Sequence, residues 1–158
     1  MNHEVLAEGY FLTARAAFPL MKLQRKGSIV FIGSKNGVAA AVNASAYASA
    51  KAAALHLARC LALEGAPHGI RVNTVNPDAV IKGSRIWDGQ WRRERADAYG
   101  IDSGDALEEY CRNRSMLKQD VLPDDIADAV YFFASDQSSK STGNMINVDA
   151  GNAQAFTR

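Results

Sequence analysis

Cysteine is scarce in this chain. Only Cys60 and Cys111 occur among 158 residues, far apart and with no CxxC pair. That pattern argues against a disulfide framework and a thiolate zinc site, and it fits a reducing compartment. Long apolar runs are missing too: none reaches the roughly 20 residues that cross a bilayer, and the N-terminus shows no signal-peptide pattern. The expectation is a soluble, cytoplasmic protein with no membrane contact. Neither sign of charge dominates, since 18 basic residues stand against 17 acidic ones for a net charge of +1. Such a balance gives no long-range attraction to nucleic acid or to an anionic membrane. The three histidines, His3, His56 and His68, have no ligand spacing among themselves. His56 and Cys60 stand one helical turn apart and could share a metal. The alternative, a histidine at a helix flank near a small core cysteine, needs nothing further, and no metal is expected.

What is present is ordinary globular material, 47% apolar and 22% charged, with no internal repeat. The length suits one domain or a large piece of one. Residues 5–27, VLAEGYFLTARAAFPLMKLQRKG, repeat apolar positions at helical spacing and close on basic residues and Gly27. SIVFIG, residues 28–33, is β-branched and aromatic and predicts a buried strand. Residues 45–64 predict a long helix, stopped near Gly65 and Pro67. IRVNTVNP, residues 70–77, predicts a second strand ended by Pro77, and NMINVDAG, residues 144–151, a third. Before the third, PDDIADAVYFFAS opens a helix at Pro123 with acids placed to suit its N-terminal dipole. Residues 78–122 hold both tryptophans and the run Trp91-Arg92-Arg93-Glu94-Arg95. They predict a helical insertion inside one domain rather than a second domain. Strands joined through helices argue for a parallel sheet in an α/β fold. Functional groups then gather where strands end: at Ser34, after Pro77 and at Asp149.

The segment SAYASAKAAAL places Tyr47 and Lys51 four apart, on one helix face. A phenol titrates at about 10 in water, and an ammonium beside it stabilises phenolate. A tyrosine so placed can take a proton from an alcohol or give one to a carbonyl oxygen. Taken alone, the pair could equally be exposed surface residues. Ser34, thirteen positions before Tyr47 and just past a strand, could polarise a reacting oxygen, cap a turn or sit idle in a loop. The whole order of strand, serine, tyrosine, lysine, helix, strand and proline is far more specific than any part.

That order resembles the short-chain dehydrogenase/reductase family. SIVFIGS is similar to the family's strand ending in a catalytic serine, YASAK to its YxxxK, and IRVNTVNPDAV to its strand and proline motif. LPDDIADAVYFFASDQSSKSTGNMINVDAG resembles its closing helix and strand. GSKNG, HLARCLALEGAPHGIRVN, NPDAVIKGSRIWDGQW and NVDAGNAQAF also resemble the C-terminal dehydrogenase portion of the bifunctional rhamnulose-1-phosphate aldolase/alcohol dehydrogenases. The resemblance implies that Ser34 orients the substrate oxygen, Tyr47 is the acid/base and Lys51 supports it and reaches the nicotinamide ribose. It implies that Pro77 and Val80 contact the nicotinamide end. It also implies NAD as cofactor, with NADP open, a small alcohol or hydroxy-aldehyde substrate such as lactaldehyde from rhamnose catabolism, a homo-oligomer, and an aldolase domain in a parent chain. The fold implied is the C-terminal part of a Rossmann-like doubly wound sheet: three parallel strands with flanking helices, without the N-terminal dinucleotide half.

The sequence also departs from the family pattern. Asp78 stands where the proline motif usually has glycine, Lys82 where it usually has threonine, and Leu6 where many members keep an asparagine. Lys82 is expected to be solvated. No GxGxxG or GxxxGxG follows a strand, so this chain offers no phosphate cradle. Gly33 and Gly37 suit the Ser34 loop instead. The expectation is therefore a catalytic half whose activity needs a longer polypeptide. The rival is a catalytically silent α/β module that holds an oligomer together. For the Trp87–Arg95 region the expectation is a substrate lid or oligomer contact, with a plain solvated helix as the alternative. Asp149 is expected to bond turn amides.

Overall fold

The computed structural model describes residues 1–101 and 104–156. After a single π-helical turn at Glu4–Glu8, α1 (Gly9–Gln24) leads into β1 (Gly27–Ile32), α2 (Ser45–Gly65) and β2 (Ile70–Pro77). Then come α3 (Gln90–Ala98), α4 (Gly104–Arg114), α5 (Pro123–Ala134) and β3 (Met145–Val148). The three strands form one parallel sheet in the order β1-β2-β3. Gly27 pairs with Ile70 and Ile32 with Val75, while Thr74 pairs with Met145 and Pro77 with Val148.

Strand alternation explains why both faces are covered. Phe31, Ile70 and Val72 pack with Ala14 and Phe18 of α1 and with Ala54, Ala58, Leu61 and Ala62 of α2. The alanine spacing of α2 lets that helix lie close on the sheet. Ser28 and Arg71 face the other way, where both donate to the carbonyl of Phe133 in α5. The Arg71 guanidinium also donates to the carbonyls of Ser135 and Ser138, closing the helix end that carries Phe133. At the start of α5, the Asp125 carboxylate accepts the Leu122 backbone N–H, which stabilises the first turn.

The strands and α2 lie within a few residues of their predicted bounds. The first helix differs, because a π-helical turn precedes α1. The 78–122 segment is helical as expected, forming α3 and α4, with a cluster of Ile81, Leu107 and Cys111 beneath them. Among the described residues no helix is long and apolar enough to cross a membrane, and no group of three or more metal-ligating side chains gathers. Cys60 is half-buried rather than a core residue, and Cys111 is the buried cysteine.

Candidate active site at the strand ends

Ser34 follows β1, and three contacts hold it there. The ladder continues one step beyond the strand, with the Gly33 N–H donating to the Val75 carbonyl at 2.8 Å. The Asn76 carboxamide oxygen then accepts the Ser34 backbone N–H at 3.1 Å. The Ser34 side chain accepts the Asn36 N–H at 3.2 Å, capping a short 3-10 turn at Lys35–Gly37. Glycine is required on both sides of this turn. A Cβ on Gly33 would stand 2.0 Å from the Asn76 carboxamide oxygen, and one on Gly37 would press into Leu55 and the Lys51 backbone. The loop therefore lies directly on α2 and brings Ser34 toward the first turns of that helix.

Tyr47 and Lys51 project from those turns. Lys51 is only 5% exposed. Its ammonium donates to the Ile32 carbonyl at 2.7 Å and to the Tyr10 hydroxyl at 3.2 Å, and Tyr10 in turn donates to the same Ile32 carbonyl. One ammonium N–H is left without a protein acceptor among the described residues. The Lys51 nitrogen lies 6.0 Å from the centre of the Tyr47 ring and 5.2 Å from that of Tyr10. Burial lowers the Lys51 pKa to about 8. Burial, with the Tyr47 phenol nearby, raises that of Tyr10. Tyr10 thus remains a neutral hydroxyl beside the lysine.

Ser34, Tyr47, Lys51, Pro77 and Val80 all line one cavity of about 940 Å³. All five residues expected at the site are therefore brought together. No acceptor for the hydroxyl hydrogen of Ser34 or Tyr47 exists among the described residues, so both can serve a ligand. A smaller cavity lies beside it, between Asp78 and Asp120, but holds none of these five residues.

Asp78 and Lys82 both have partners. The Asp78 carboxylate accepts from Arg114 at 2.6 Å and from Asn152 at 2.8 Å, tying the end of β2 to α4 and to the C-terminal segment. Burial works against the Arg114 charge, and Asp78 outweighs it, so that guanidinium holds its proton more tightly than usual. Lys82 is exposed, as expected, and pairs with Asp120 at 2.7 Å, a carboxylate that Arg112 also contacts. Asp149 accepts the Gly151 N–H at 2.8 Å, as expected of a turn residue.

Sequence reasoning missed Tyr10 and Asn76. A lone tyrosine on an amphipathic helix gives no signal. Asn76 did leave one, as a buried polar residue one position before the proline that ends its strand.

The family model described as "Enoyl-(Acyl carrier protein) reductase" matches residues 2–153. The chain belongs to the short-chain dehydrogenase/reductase family. It is 58% identical over its whole length to the uncharacterized oxidoreductase YuxG of Bacillus subtilis (strain 168), of which the match covers 23%. Sorbitol-6-phosphate 2-dehydrogenase of Erwinia amylovora superposes with a TM-score of 0.87 at 29% identity, over 99% of this chain and 59% of that one. Carveol dehydrogenase of Mycobacterium avium, solved with NAD, gives a TM-score of 0.85 at 31% identity, over 96% of this chain and 55% of that one. Apart from YuxG, the chain spans about half the length of the curated relatives it matches.

Proposed function

We propose that this chain is the catalytic half of a nicotinamide-dependent oxidoreductase, in which Ser34, Tyr47 and Lys51 manage the proton. The observation that carries the reading is the convergence of two hydroxyls with open hydrogen-bonding capacity and one buried ammonium on a single cavity. Ser34 donates to the substrate oxygen and fixes it near Tyr47. The Tyr47 phenol takes the proton of an alcohol, or of the hydrate that water forms with an aldehyde, and returns it to a carbonyl oxygen in the reverse direction. The Lys51 charge favours negative charge on the Tyr47 oxygen as the proton leaves. Tyr10 and the Ile32 carbonyl keep that ammonium in place.

The residues fit the nicotinamide end of a dinucleotide. Pro77 and Val80 give one wall, and the spare Lys51 N–H is available for a ribose hydroxyl. They do not supply a cradle for the phosphates, since no glycine-rich turn follows a strand in this chain. When bound, the nicotinamide supplies the hydride acceptor or donor. We read the cofactor as NAD, and the carveol dehydrogenase solved with NAD supports that choice. We read the substrate as a small hydroxy-aldehyde such as lactaldehyde, within a longer polypeptide that carries an aldolase. The similarity to YuxG, a protein more than four times the length of the match, supports a long parent. The α3–α4 segment acts as a lid in this reading, because Trp87, Trp91 and Tyr99 wall the same cavity.

A homo-oligomer is part of the proposal. Phe11, Leu12, Leu20 and Leu23 of α1 and Leu63 of α2 are exposed, an apolar surface suited to a second copy.

The test is formation of NADH from lactaldehyde by the full-length polypeptide. Replacing Tyr47 with Phe should lower the rate about 10²–10⁴-fold. An unchanged rate would remove Tyr47 from the chemistry and favour the scaffold alternative.

A further inference from the structure

Two cations that the proton transfer does not use also line the cavity. Lys35 is 4% exposed and Arg95 is 6% exposed, so each side chain is more than nine-tenths buried. Neither meets a carboxylate among the described residues. Arg95 makes one hydrogen bond, to the Val42 carbonyl at 3.4 Å, the long end of the range. A guanidinium has five N–H donors, so most of its capacity is unspent. The Arg95 guanidinium carbon lies over the rings of Trp91, at 5.4 Å from the centre, and Tyr99, at 5.3 Å. The Lys35 ammonium has no acceptor among the described residues.

The neighbouring basic groups behave differently. Arg114 is matched by Asp78, and Arg112 and Lys82 share Asp120. Two cations that face one cavity with no carboxylate partner among the described residues form a site suited to an anion.

We propose that Lys35 and Arg95 are the receptor for an oxyanion, a carboxylate or a phosphate, carried by one member of the substrate–product pair. The proposal rests on the reading of this cavity as the substrate site, and it narrows the substrate class. A neutral alcohol with a neutral ketone product would leave both cations unpaired. An aldehyde oxidised to an acid, or a phosphorylated hydroxy compound, would satisfy them.

The test measures binding without cofactor or turnover. Trp87 and Trp91 are the two tryptophans of the chain and both line the cavity, so intrinsic fluorescence reports on it. L-lactate and dihydroxyacetone phosphate are titrated at constant ionic strength against their uncharged counterparts, 1,2-propanediol and dihydroxyacetone. At least one anion should bind saturably, tenfold or more tighter than its neutral partner. Whichever anion binds tighter assigns the group as carboxylate or phosphate. Lys35→Met and Arg95→Met should each weaken the anion at least tenfold and leave the neutral compounds within twofold. Because Arg95→Met removes a residue packed against two rings, its melting curve is checked, and Lys35→Met carries the result if it misfolds. Binding is read with no cofactor and no turnover, whereas the catalytic reading is tested by turnover, so a failed catalytic reading and a failed receptor give different results. No binding by either anion, equal binding of anion and neutral partner, or full affinity in both methionine variants would overturn the proposal.

Discussion

The stretch from β1 to β2 and the segment between β2 and α5 meet at one cavity but are built on opposite terms. The core of the first is small and apolar, with alanines of α2 against Phe31, Ile70 and Val72, and the buried Asn76 and Lys51 bond backbone groups there. The second is rich in charge, and its helices are fixed by ion pairs at Asp78, Glu108 and Asp120 and by arginines laid on aromatic rings. The first region can therefore hold Ser34, Tyr47 and Lys51 to fixed positions, as proton transfer demands. In the proposed reading the second region shapes what enters, and its charged contacts lie apart from the sheet core. Rigidity and selectivity are separated along the chain.

That contrast can be broken most sharply at Gly33. Gly33→Ala drives a methyl onto the Asn76 carboxamide oxygen inside the packed frame. A loss of about 3 kcal/mol is expected, the upper end for overpacking, read by denaturant unfolding and accompanied by loss of turnover as Ser34 is displaced. At the seam between the regions, Asp78→Ala leaves the half-buried Arg114 without its carboxylate. It should cost about 2 kcal/mol, below the roughly 3–5 kcal/mol of a fully buried pair, by the same measurement. Tyr10→Phe removes one hydroxyl from the lysine and should cost about 1 kcal/mol. Losing an acceptor disfavours the ammonium, so the Lys51 titration, followed by nitrogen NMR, should move to lower pH. Deep in the charged segment, Lys82→Ala breaks an exposed pair with Asp120 and should change stability by less than about 1 kcal/mol. A large loss there would mean that the two regions are not separable.

Legibility in the sequence follows the same division. The frame is made of local signals: a β-branched run, an alanine-rich helix with tyrosine and lysine one turn apart, and glycine and proline stops. Its strands and its long helix could therefore be placed from local pattern, and the order of Ser34, Tyr47 and Lys51 singled those residues out, whereas Pro77 and Val80 came with the family resemblance. The π-helical turn before α1 could not, because apolar spacing does not distinguish one extra residue in a turn. Tyr10 and Asn76 act across 41 and 42 positions of sequence, on Lys51 and Ser34, and only the folded sheet makes those meetings. In the charged segment the helices were readable, but pairing was not. Lys82 is exposed as read, but the sequence does not show that it shares Asp120 with Arg112.

Lys51 connects the frame to the chemistry. Its pKa of about 8 lies below the ordinary lysine value of 10.5. Between those values the unfolded chain holds a proton that the folded chain does not, so this residue makes folding more favourable as pH rises through that window. Under the proposed mechanism the sign for catalysis is opposite, because there the charged form is the one that assists Tyr47. The most direct measurement is the pH dependence of kcat/KM for alcohol or aldehyde oxidation by the full-length polypeptide, which reports groups of the free enzyme. The rate should fall as pH rises past about 8, in step with the Lys51 titration seen by NMR. A rate that keeps climbing after Lys51 has lost its charge would contradict the account.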